Sequence, residues 1–186
     1  MTTSTLILLI VAVAAVAIAV VMYYQRNKTQ KLKAKFGPEY DRLVDKEGSP
    51  RRAEAVLGSR QKRVEKLYIR PLSHGECDRF AAHWTAAQGN FIDDPRRAVA
   101  QADRLVHEAL QARGYPMSDF EQQAADISVE HPRVVEDYRA AHEIAVRDGY
   151  GQANTEDLRL AMQHYRNLFE HVLDETVEHL AEVRRA

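Results

Sequence analysis

A run of nineteen residues without a charge, Leu6 to Tyr24 (LILLIVAVAAVAIAVVMYY), constrains this chain more than any other feature. As a helix rising about 1.5 Å per residue it spans ~28 Å, close to the ~30 Å hydrocarbon thickness of a bilayer. Tyr23 and Tyr24 stand where an interfacial aromatic belt belongs. A secretion signal needs a basic start, a shorter apolar core and a small-residue cleavage site. Ala15–Val16–Ala17 and Ala17–Ile18–Ala19 imitate such a site, but Met1 to Thr5 holds no Lys or Arg and the apolar run is long. The expectation is an uncleaved membrane anchor over residues 1–25. Release of an exported protein by cleavage is the alternative.

Charge gives the orientation. No basic residue precedes the run, whereas Arg26, Lys28, Lys31, Lys33 and Lys35 follow it closely. The positive-inside rule places that flank in the cytoplasm. The expected protein is therefore single-pass in the cell (inner) membrane, with its N-terminus outside and its C-terminal domain cytoplasmic. The single Cys77 excludes a disulfide scaffold.

The near-zero net charge conceals two opposite halves. Residues 26–70 hold 14 basic and 6 acidic residues, and residues 71–186 hold 12 basic and 21 acidic. Such asymmetry predicts different surroundings for each part. The first is read as a basic juxtamembrane stalk able to touch anionic lipid headgroups, where each nearby cation contributes about 1 kcal/mol. The second is read as an acidic domain that repels nucleic acid. Phe36–Gly37–Pro38 and Gly48–Ser49–Pro50 should break the stalk into helices. Between Arg51 and Tyr68, Ala53, Leu57, Val64 and Leu67 recur at helical spacing.

After Pro71 the pattern is helical throughout. Ser73 and Glu76 have capping-box spacing ahead of a stripe of Phe80, Trp84, Ala87 and Phe91. Asp94–Pro95 pairs an N-cap with Pro at the first helical position, before an apolar face from Val99 to Leu110 that ends at Gly114. Ser118 with Glu121 suggests another capping box, Pro132 the start of a further helix, and Thr155 the cap of a last, long one. That last face runs from Leu158 through Tyr165 and Phe169 to Val177 and Leu180. No stretch alternates with period two. The fold class is all-α: a transmembrane helix, a helical stalk, and a distal bundle of about five helices over 71–186.

Candidate chemistry is sparse. His171, Glu175 and His179 share one helix face, and His74, Cys77 and His83 lie close in sequence, but neither set has the spacing of a zinc site. His107–Glu108 and His142–Glu143 begin like a zinc-protease motif and lack its second His. Solvated surface histidines are the expected reading. Asp93 and Asp94 form an acidic pair that helix capping already explains. Gly149–Tyr150–Gly151 follows a helix where a dinucleotide loop requires a strand. Cys77 reads as a buried structural thiol. No catalytic, cofactor-binding or metal residue is assigned, and no cofactor is expected.

The segments Phe36-Gly-Pro-Glu-Tyr-Asp-Arg42, Ile69-Arg-Pro-Leu-Ser73, Phe91-Ile-Asp-Asp-Pro95 and Arg113-Gly-Tyr-Pro116 make the chain resemble a family of bacterial, N-terminally membrane-anchored helical proteins. Asp119-Phe-Glu121, Ala124-Ala-Asp126, Glu130-His-Pro132, Thr155-Glu-Asp-Leu158 and His164-Tyr-Arg166 extend the likeness over nearly the whole chain. The resemblance implies a shared architecture and brings no activity, substrate or catalytic residue. The expected function is a membrane-tethered protein-interaction or scaffolding domain without catalysis. The alternative is an enzyme or metal-binding domain that uses the distal histidines.

Overall fold

In a computed structural model, the backbone is described for residues 3–185 and the side chains for residues 12–173. Eight helices and no strands occur among the described residues: α1 (Thr3–Phe36), α2 (Pro38–Glu47), α3 (Pro50–Val64), α4 (His74–Asn90), α5 (Pro95–Arg113), α6 (Phe120–Glu130), α7 (Val135–Gly149) and α8 (Thr155–Arg185). The chain divides into two compact units, Met1–Leu57 and Gly58–Ala186, with the boundary inside α3.

In the first unit α1 runs unbroken from the apolar segment into the basic one. It stops where Gly37 adopts φ 49°, a left-handed conformation that side chains resist, and Pro38 then opens α2. Gly48, at φ 65°, ends α2 and donates its N–H to the Val44 carbonyl. Leu32, Phe36, Tyr40, Leu43, Ala53 and Leu57 are buried and form a small apolar core. Thr29 donates to Glu54 Oε1 at 2.6 Å, and Lys28 Nζ lies 3.8 Å from Glu54 Oε2. These two contacts tie α1 to α3 within this unit.

Among the described residues no helix is long and apolar enough to cross a membrane. The anchor expected over residues 1–25 thus has no complete span among them, and the side chains of residues 6–11, the first third of the run, lie outside them. Val13, Val16, Ile18, Val20, Val21, Met22, Tyr23 and Tyr24 are all exposed.

The second unit is a helical bundle. Its core draws on α4 (Cys77, Phe80, Trp84, Ala87), α5 (Val99 to Leu110), α6 (Ala124, Ile127), α7 (Val135, Tyr138, Ala141, Ile144) and α8 (Leu158 to Val172). α8 packs chiefly on α7 and α5, and α4 packs chiefly on α5. Trp84 stacks on Phe169 with ring centroids 4.6 Å apart and planes 18° from parallel. The stripe read from the sequence is therefore core, with Phe91 only half-buried at its end.

The caps agree with the expectation in two cases and differ in three. Ser73 and Glu76 form a full capping box on α4, and Asp94 accepts from the Arg97 N–H on α5. At α6 the cap is Asp119, which accepts from Gln122, in place of Ser118. An ionised acceptor binds a backbone N–H more strongly than a hydroxyl does. Val135, three residues after Pro132, opens α7. Asn154 caps α8 in place of Thr155, trading hydrogen bonds with Asp157. In α7 the inner position is Ile144, while Val146 faces out.

The segment leading into the bundle is fixed at two points. Arg70 donates its backbone N–H to the Arg113 carbonyl at 2.8 Å, and its guanidinium forms a fork on Glu76 at 2.7 and 3.0 Å. Gly114, at φ 103°, lies so near this segment that a Cβ there would collide with the Tyr68 carbonyl oxygen.

Two substitutions test this packing by chemical denaturation of a fragment covering residues 58–186. Trp84→Ala, which removes a stacked core aromatic, should cost about 3–5 kcal/mol. Gly114→Ala combines a left-handed backbone with a collision against backbone, and should cost at least about 2 kcal/mol. A third prediction concerns pH. The Arg70 guanidinium and the Ser73 cap hold the Glu76 carboxyl below the usual carboxylate range. Its contribution is complete above the ordinary carboxylate pKa and is lost as pH falls through the lowered value in the folded state. Glu76→Gln should therefore lower stability at pH 7 and make the acid limb of the stability curve shallower, read by denaturation at a series of pH values.

Candidate interaction surfaces

A polar layer crosses the interior of the bundle. Tyr165 on α8 donates to Asp103 Oδ1 on α5 at 2.7 Å. Tyr138 on α7 donates to Gln123 Oε1 on α6 at 2.9 Å, and its hydroxyl lies 3.2 Å from His107 Nε2 on α5. His107 Nδ1 lies 2.9 Å from the Asp103 carbonyl oxygen. Burial pushes both tyrosine hydroxyls up, Asp103 adding to the effect. An Asp–His–Tyr relay has the look of acid–base chemistry, yet Tyr138 and Tyr165 are fully buried. Their raised pKa values oppose ionisation.

The histidines divide by environment, which corrects the expectation that all are solvated. His74, His83 and His171 are exposed. His131 is buried, with Nε2 3.3 Å from Arg113 Nη1 and its ring edge-on to His171. His142 stacks on Phe120 at 3.6 Å, and burial pulls its pKa down. His164 Nδ1 lies 2.6 Å from Asp137 Oδ1, linking α8 to α7.

Among the described residues no group of three His, Cys, Asp or Glu side chains is placed to hold a metal ion. Cys77 is buried between the exposed His74 and His83, and burial pushes its thiol up. The side chains of Glu175 and His179 lie outside the described residues. Asp94 is committed to the α5 cap, and Asp93 beside it is exposed.

Another charged cluster sits where α3 meets α6. Asp126 is fully buried, accepting from Gln122 Nε2 at 2.9 Å, with Arg63 Nε at 3.2 Å from the same oxygen. Arg60 donates to Ser128 Oγ at 3.2 Å. Burial pushes the Asp126 carboxyl up, and Arg63 pulls it back. Thus part of the positive charge read as a free stalk is used within the second unit.

Two open grooves are found among the described residues. Between α4 and α5 lies a groove of about 330 Å³, lined by His83, Ala86 and Asn90 from α4 and by Gln101, Arg104 and Glu108 from α5. Its floor is Ala87 and Leu105. Asn90 donates to Gln101 across it at 3.0 Å. The floor is apolar, and Arg104 and Glu108 bring unlike charges to the lining. This groove is not legible in the sequence, because its lining side chains belong to two helices and converge only once those helices pack.

The second surface lies on the first unit, an open groove of about 600 Å³ along α1 lined by Met22, Gln25, Arg26, Thr29, Gln30 and Lys33. Comparison of the chain with protein-family models, curated proteins and solved structures finds no match. The likeness noted from the sequence therefore carries no family assignment.

Proposed function

We propose that this protein is a single-pass membrane protein whose acidic helical bundle lies in the cytoplasm and serves as a docking or scaffolding domain. The observation that carries the reading is the outward-facing apolar surface of α1. From Val13 to Tyr24 its large apolar side chains are uncovered by protein, and Arg26 to Lys35 follow directly on the same helix. Contiguous exposed apolar surface on this scale marks a membrane or partner interface. The basic flank gives the orientation. Absence of an accessible nucleophile–base pair in the polar layer favours binding over catalysis, and the α4–α5 groove is the docking place on the bundle.

The anchor is tested in native membranes. The full chain should sediment with membranes and resist extraction by alkaline carbonate, and deletion of residues 6–24 should release it. A reporter fused after Ala186 should be active only in the cytoplasm; periplasmic activity would refute the orientation. A photo-crosslinking residue at Ala86, in the groove, should capture a protein partner, whereas one at the exposed Glu170 should not. Equal labelling from both positions would refute the groove as the docking place.

A further inference from the structure

The groove on α1 is placed and lined for one particular ligand. At about 100° per residue, Met22, Arg26, Thr29 and Lys33 fall within about 60° of one another around the helix axis. Lys31 and Lys35 fall on the far side of the same helix by that count. The basic flank is therefore two surfaces. One carries a groove with two cations and two amides, the Thr29 hydroxyl in it being committed to Glu54. The other carries Lys31 and Lys35.

Depth separates the two ends of this groove. Taking Tyr24 as the interfacial residue, Arg26 stands about 3 Å and Gln30 about 9 Å beyond it along the helix. The headgroup layer is roughly 5–8 Å thick on each side of the hydrocarbon. Lys33 starts about 13 Å out, and its long, exposed side chain has the length to bring its ammonium back toward that layer on leaving Tyr40 and Asp41. Met22 lies on the apolar side and offers a thioether to an acyl chain.

Arg26 makes no hydrogen bond or ion pair among the described residues. Lys33 Nζ lies 5.1 Å from the Tyr40 ring centroid and 3.9 Å from Asp41 Oδ1, but the Lys33 and Asp41 side chains are more than half exposed, and such contacts are weak. By contrast Lys28, outside the groove, pairs with the mostly buried Glu54.

We propose that the Met22–Arg26–Lys33 groove holds a single anionic phospholipid, its phosphate between Arg26 and Lys33, its polar headgroup against Gln30, and its acyl chain past Met22. This inference rests on the membrane anchor proposed above. Free phosphate would satisfy the same cations, but it leaves Met22 and the apolar run beyond it without a role.

The test uses the full chain, delipidated in detergent and exchanged into vesicles of phosphatidylcholine with a minor share of phosphatidylglycerol. Sedimentation with the vesicles is scored first, and failure to associate would refute the anchor and this site together. Associated protein is then re-extracted and its retained lipid identified by mass spectrometry. One phosphatidylglycerol per chain is expected. Arg26→Gln with Lys33→Gln should lower that retention more than about tenfold, taking the ordinary effect of two interfacial cations. Lys31→Gln with Lys35→Gln should leave it unchanged. Unchanged helicity by circular dichroism, and retention restored in Arg26→Lys with Lys33→Arg, tie the loss to charge. Equal losses in both glutamine pairs, or no preference for phosphatidylglycerol, would overturn the site while leaving the anchor intact. Displacement of the lipid by inorganic phosphate would overturn it in favour of a free anion.

Discussion

The hydrogen bond from Tyr165 to Asp103 governs how the bundle can assemble. Tyr165 is fully buried, so its hydroxyl must find an acceptor or bear the cost of desolvation. The acceptor is one carboxylate oxygen on α5, at 2.7 Å. Sliding α8 by a turn would leave an unpaired hydroxyl inside the bundle. Apolar contacts alone tolerate such shifts, since one leucine face resembles another. Once Tyr165 is placed, Leu168, Phe169 and Val172 fall on the core side, and Phe169 meets Trp84 on α4. Tyr138 extends the same constraint to α6 through Gln123.

Much of this fold was legible in the sequence because helices announce themselves locally. Apolar spacing gave the inner faces, and Gly37, Gly48 and Gly114 are indeed where α1, α2 and α5 end. Caps were less exact, since runs such as Ser118–Asp119 and Asn154–Thr155 offer two competent residues side by side. Backbone direction decides between them, and spacing alone does not contain it. The polar layer was not legible at all. Asp103, Gln123, Tyr138 and Tyr165 are far apart in sequence, and each alone looks like an ordinary helix residue. His131 was read as solvated for the same reason: its burial against Arg113 depends on how distant segments pack.

The candidate surfaces follow the same division. An apolar run followed by a basic one is a one-dimensional pattern, and the sequence carries it whole. A groove is a relation between side chains brought together by packing or by the turn of a helix. His83 and Arg104 meet only because α4 packs on α5. Charge counts along the chain do not show which cations have partners: Arg63 and Arg70 belong to the second unit and pair with Asp126 and Glu76.

Gly37 sets a length as well as a turn. A dozen residues of helix separate Tyr24 from the end of α1 at Phe36, a rise of about 18 Å. If Tyr24 marks the lipid surface, α2 begins at a fixed altitude above it and leaves in a fixed compass direction. One residue added between Gln25 and Phe36 would lift that departure point by about 1.5 Å and swing it by about 100°. Two effects of so different a size mean that the heading of the hairpin, more than its height, limits which insertions this stretch of chain can accept.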